Sequence, residues 1–115
     1  VKKTIFITFE LGMRGDYESL YKWLDEKKAE ERGYGVAIIK EYVIDTSIKK
    51  DIDFLRLVKK ELTQKVSFGN TDRVYMIWNG FENNLIKAGF IYGKAKQAPW
   101  TGFAEKDIDT VDLDI

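Results

Sequence analysis

The sequence predicts an α+β domain: two helices lying on one face of a single antiparallel sheet. Three observations carry this. Several segments alternate apolar and polar residues with a period of two, as half-buried strands do. Two longer segments repeat their apolar residues at helical spacing. The order is strand, helix, one or two strands, helix, strand, strand, and two helices cannot cover both faces of a four- or five-stranded sheet.

The first strand is read over residues 4–11, TIFITFEL. Ile5, Ile7, Phe9 and Leu11 point one way, apolar enough to lie under helices, and Thr4, Phe6, Thr8 and Glu10 point the other. Gly12 and Gly15 let the following loop bend, and Asp16 suits the N-cap of a helix over residues 16–32. Within it Tyr17, Leu20, Tyr21 and Leu24 form the apolar stripe, flanked by Trp23, and Gly33 is the expected stop. Residues 34–46 are rich in Val, Ile and Tyr; they read as one bent strand or as two short strands joined near residues 39–41. Ser47 is the expected cap of a second helix over residues 48–66, whose stripe is Ile48, Ile52, Leu55, Val58, Leu62 and Val66, supported by Phe54. Asp45 also suits a role in starting that helix.

Residues 67–72, SFGNTD, are a turn, and residues 73–79, RVYMIWN, a central strand. A second turn over residues 80–84 leads to a strand over residues 88–96, softened by Gly89 and Gly93. The single proline, Pro99, opens the loop PWTGF. In the tail, Val111, Leu113 and Ile115 alternate with Asp112 and Asp114, so an extra C-terminal strand is expected over residues 107–115. The commonest form of such an order, β-α-β-β-α-β, is the ferredoxin-like sandwich, and right-handed crossovers leave few alternatives.

Composition limits the function classes. A chain of 115 residues is by default one domain, here a body over residues 1–98 followed by a loop and acidic tail over residues 99–115. Nineteen basic and nineteen acidic residues cancel, so no overall field draws the chain to nucleic acid or an anionic membrane; such binding would need a local patch. Cysteine and histidine are absent, which removes thiolate nucleophiles, disulfides, His-based triads and His or Cys metal sites. No apolar run approaches the roughly 18 to 20 residues of a membrane span. Lys2 and Lys3 lead straight into an alternating strand rather than an apolar signal segment. A cytoplasmic location without membrane partners is the expectation.

Two features invite chemistry. Glu10 ends the first strand beside a glycine loop and a helix start, where a carboxylate can hold a divalent cation through oxygen, alone or with its copy across a two-fold axis. The plainer reading is a solvated residue on the open face. Phe6 lies on that same face, and Phe90, Tyr92, Lys94 and Lys96 share one face of their own strand, with Tyr75 or Trp78 nearby. Aromatic rings beside lysines can stack on and neutralise single-stranded nucleic acid. Equally, aromatics favour strands and an apolar open face suits dimerisation. Neither Gly33-Tyr34-Gly35 nor Gly93-Lys94-Ala95 has the spacing of a nucleotide-binding loop.

The segments FITFEL, GDYESLYKWLDE, EYVIDT and DRVYMIWNG, in that order, resemble the SinR-like proteins, within the wider superfamily of the CRISPR adaptation protein Cas-two and the VapD-type toxins. The match covers roughly residues 4–80 and rests on short motifs. The resemblance implies a ferredoxin-like fold and a homodimer packed through sheet faces, often with the C-terminal strand completing the partner's sheet. Some members are metal-dependent nucleases using an Asp at the end of the first strand; here that position holds Glu10. The implied function is a small dimeric interaction protein with little or no catalysis and no resident cofactor, associated with protein or nucleic acid. The alternatives are a Mg²⁺-dependent ribonuclease using Glu10, and a regulatory domain that binds a small ligand.

Overall fold

The computed structural model describes residues 1–105. The elements are β1 (Lys2–Glu10), α1 (Tyr17–Glu26), β2 (Glu30–Gly33), β3 (Val36–Val43), α2 (Asp51–Lys65), β4 (Arg73–Asn79), β5 (Ile86–Tyr92) and a short 3₁₀ turn, Phe103–Glu105. The strands form one sheet in the order β2-β3-β1-β4-β5, and every neighbouring pair is antiparallel. This α+β architecture is compatible with a ferredoxin-like sandwich. The expected tail strand over residues 107–115 lies outside the described residues.

Both helices lie on the same side of the sheet. Leu20, Trp23 and Leu24 of α1 and Phe54, Val58 and Leu62 of α2 share one core with Ile5, Ile7, Ile39, Val74, Met76 and Ile91. Phe54 is its centre, edge-on to Tyr42, Trp78 and Phe81 at 5.5–5.8 Å between ring centroids. The stripe of α2 is thus rotated from the expected one. Phe54 is fully buried and Ile52 is half exposed, while Leu55 packs at the edge of the core against Gly89 of β5.

Several boundaries differ from expectation. Helix α1 stops at Glu26, not near residue 32. Lys28 adopts a left-handed φ of 58°, the amide of Ala29 donates to the Leu24 carbonyl, and that of Lys28 donates to the Asp25 carbonyl. This is a Schellman motif closed by lysine instead of glycine, so composition conceals it. The residues freed become β2, which makes a hairpin with β3 through residues 34–35. The segment read as one or two strands over residues 34–46 is therefore a single strand, β3, entered through that turn.

Helix α2 begins at Asp51, with Lys50 rather than Ser47 at its cap position. Asp45 instead accepts the Ser47 amide at 2.9 Å and holds a separate turn. Strand β1 starts earlier than expected, at Lys2, and ends at Glu10. Strand β5 spans Ile86–Tyr92 and ends before Gly93, whose φ is +84° and where a Cβ would lie 2.6 Å from the Asp72 carbonyl oxygen.

Candidate functional site

The face of the sheet away from the helices carries the residues singled out in the sequence. Register aligns them in rows. Ile38, Phe6, Ile77 and Ala88 stand side by side across β3, β1, β4 and β5. The next row is Val36, Thr8, Tyr75 and Phe90, and Tyr75 meets Phe90 edge-on at 4.8 Å. Residues directly opposite on one sheet face have their Cβ atoms about 5 Å apart, so each row is continuous. Phe6, near the middle, is 40% exposed, and none of these side chains is covered by a helix.

The third row is charged. Glu10 stands opposite Arg73, whose Nη2 donates to Glu10 Oε1 at 2.9 Å and whose Nε donates at 3.3 Å. Lys96, from the segment after β5, donates to the same oxygen at 3.2 Å. The Arg73 and then the Lys96 hydrogen bonds hold the Glu10 carboxyl below the usual carboxylate range. Two cations on one carboxylate leave a local excess of positive charge, which is unfavourable for a divalent metal. Among the described residues no group of three or more acidic side chains is placed to hold a metal ion. Beside this row lies a hollow of about 470 Å³ bordered by Thr8, Glu10, Arg73, Tyr75, Phe90 and Ala95.

The other expected nucleic-acid residues do not share one face. A bulge between Val74 and Tyr75 interrupts the pairing of β4 with β5, so Ile91 is fully buried and Tyr92 is opposite Val74. Tyr92 stacks on Phe68, centroids 4.5 Å apart and rings 16° from parallel. Lys94 and Lys96 follow the end of the strand, and Lys96 returns to Glu10 while Lys94 is exposed. Trp78 points into the core, where its Nε1 donates to Asp51 at 2.8 Å.

Two carboxylates organise the surroundings: Asp16, the expected helix cap, and Asp72, which the sequence reading does not single out. Asp72 is buried and accepts the Gly12 amide at 2.6 Å and the Gly69 amide at 2.7 Å. Asp16 caps α1 through the Ser19 amide and also accepts the Ser67 amide at 2.9 Å. Its carboxyl is held below the usual range, first by the Ser67 bond and then by Ser19. Together they tie the loop after β1 to the loop before β4, and so fix where Glu10 and Arg73 meet. The acidic residue just before Arg73 is the one sequence cue to this arrangement.

On the helix side, Glu61 accepts from Trp23 Nε1, Tyr42 Oη and Lys27 Nζ at 2.8, 2.8 and 2.7 Å. Burial alone would raise its carboxyl, but these three donors outweigh burial and hold it low. Burial, then Glu61 itself, pushes the Tyr42 phenol well above its ordinary value. Asp51 Oδ1 accepts from Trp78 and from the Phe81 amide, while its buried Oδ2 has no partner among the described residues.

These observations define a class, an α+β chain with two helices and an open five-stranded antiparallel sheet among the described residues. Comparison with models of protein families, with curated proteins and with solved structures finds no match for this chain. Among the described residues no helix is long and apolar enough to cross a membrane.

Proposed function

We propose that this chain is a ferredoxin-like interaction protein of the SinR-like kind, which acts as a homodimer packed through its open sheet face. The observation that supports this is the pair of apolar rows across four strands, with Phe6 at their centre and no helix covering them. Exposed apolar surface in one continuous patch is costly in water, and a second copy of the same patch removes it with two-fold symmetry. The C-terminal segment, by the same reading, adds to the partner's sheet. The ribonuclease reading has no comparable support, because Glu10 is already held by Arg73 and Lys96.

Light scattering coupled to gel filtration tests the reading. The wild-type chain is expected to run as a dimer at micromolar concentration, and Phe6→Glu as a folded monomer with an unchanged circular dichroism spectrum. A wild-type monomer that binds an RNA oligonucleotide with a steep salt dependence would assign the face to nucleic acid instead. A wild-type monomer without such binding would remove both occupants.

A further inference from the structure

A second concavity lies between α1 and the β2–β3 hairpin and meets the first hollow at the end of β1, with a volume of about 850 Å³. Its inner wall is aromatic. Phe9 meets Tyr21 edge-on at 6.3 Å, and Tyr21 meets Tyr17 at 5.5 Å. Tyr17 is fixed from behind by its hydroxyl, which donates to the Leu11 carbonyl at 3.3 Å. Tyr21 is 54% exposed, so its ring is open to the cleft, and Tyr34 stands fully exposed at the hairpin tip.

The charged side chains that line this cleft are all carboxylates. Asp25 on α1 and Glu31 on β2 border it from opposite walls. Glu31 pairs in register with Ala37, whose side chain is buried on the helix side, so Glu31 faces that side too. Neither Asp25 nor Glu31 has an ion-pair partner among the described residues. The other two bordering carboxylates are already matched, Glu10 by Arg73 and Lys96 and Glu30 by Arg32 and Lys40. No lysine or arginine lines the cleft among the described residues.

Ring faces carry negative electrostatic potential and attract cations, and uncompensated carboxylates add to the same field. An anionic ligand would be repelled, and the cleft is too large for a bare metal ion yet within the size that encloses a small organic molecule. We propose that the cleft binds a small organic cation, an ammonium or guanidinium head carried on an apolar body. The head lies between Asp25 and Glu31, and the body against Tyr17, Tyr21 and Phe9. Phe6 does not line this cleft, so Phe6→Glu probes the sheet-face dimer separately from the aromatic wall and the Asp25–Glu31 pair.

Isothermal titration calorimetry at fixed ionic strength tests this with three probes: benzyltrimethylammonium, spermidine, and the neutral choline isostere 3,3-dimethylbutan-1-ol. At least one cation is expected to bind, and the neutral probe is not. The double variant Asp25→Asn/Glu31→Gln, which keeps the shape of the walls, weakens cation binding by about tenfold or more, and Tyr21→Leu, which keeps the packing but removes the ring, does likewise. The proposal is overturned if neither cation gives heat up to about 10 mM, if the neutral probe binds as well as the cations, or if the double variant binds undiminished.

Discussion

Glu61 shows what a single residue decides here. Three donors from two other elements converge on its carboxylate, and its side chain is only 24% exposed. Losing the charge leaves Lys27 without its partner and weakens the bonds from Trp23 and Tyr42. Glu61→Gln is expected to cost about 1.5–3 kcal/mol in urea unfolding, the range for hydrogen bonds to a charged group. The pH dependence has a defined sign. The folded-state pKa of Glu61 is depressed, so its contribution is complete above the unfolded-state value of about 4.3 and is lost as pH falls through the lower folded value. The acid limb of stability against pH should be steeper in the wild type than in Glu61→Gln. Equal limbs would show that the network does not discriminate the charged carboxylate. The exposed Glu10 is the contrast: its ion pairs with Arg73 and Lys96 are at the surface, where such pairs contribute about 0–1 kcal/mol.

At the scale of elements, the end of α1 sets the layout of one half of the sheet. Because Lys28 closes the helix in a left-handed conformation, the chain turns back in time to make β2. A side chain at such a position carries a cost that glycine avoids. Lys28→Gly is therefore expected to stabilise the fold by about 0.5–1 kcal/mol, read as a raised urea midpoint with unchanged slope. The hairpin turn imposes the opposite requirement. Gly35 has a φ of +72°, and a Cβ there would lie 2.6 Å from the Phe9 carbonyl oxygen. The amide of Phe9 donates to the Gly35 carbonyl at 2.8 Å, so the turn is fastened to β1. Gly35→Ala is expected to destabilise by more than about 1 kcal/mol, from the left-handed backbone together with the clash. This contact also holds the hairpin wall of the cleft in place.

For the whole molecule, the two faces of the sheet divide the labour. One is sealed by α1 and α2 around Phe54, and the other is left apolar and uncovered at Phe6, Ile77 and Phe90. If a second copy covers that face, folding and association are linked by mass action. The melting temperature of the wild type should then rise with protein concentration, and that of Phe6→Glu should not. A concentration-independent melting temperature in both would argue against association through this face.

Much of this architecture was legible in local pattern. The alternation of Ile5, Ile7, Phe9 and Leu11, the run RVYMIWN and the two helical stripes announce the strands and helices, because periodicity directly records which side of an element is buried. Having only two helices for so many strands already implies an uncovered sheet face. The capping role of Asp16 follows from its own chemistry. What sequence could not supply was pairing across distance. That Glu10 lies opposite Arg73 and meets Lys96, that a bulge turns Tyr92 onto Phe68, and that three donors converge on Glu61 are all set by strand register and helix placement. Local propensity also misleads at Lys28, where tertiary context holds an ordinary residue in a glycine-like conformation. The elements were written in the chain itself; the neighbours of each charged and aromatic side chain were decided only when those elements packed, because a contact between residues far apart leaves no periodic trace in either segment.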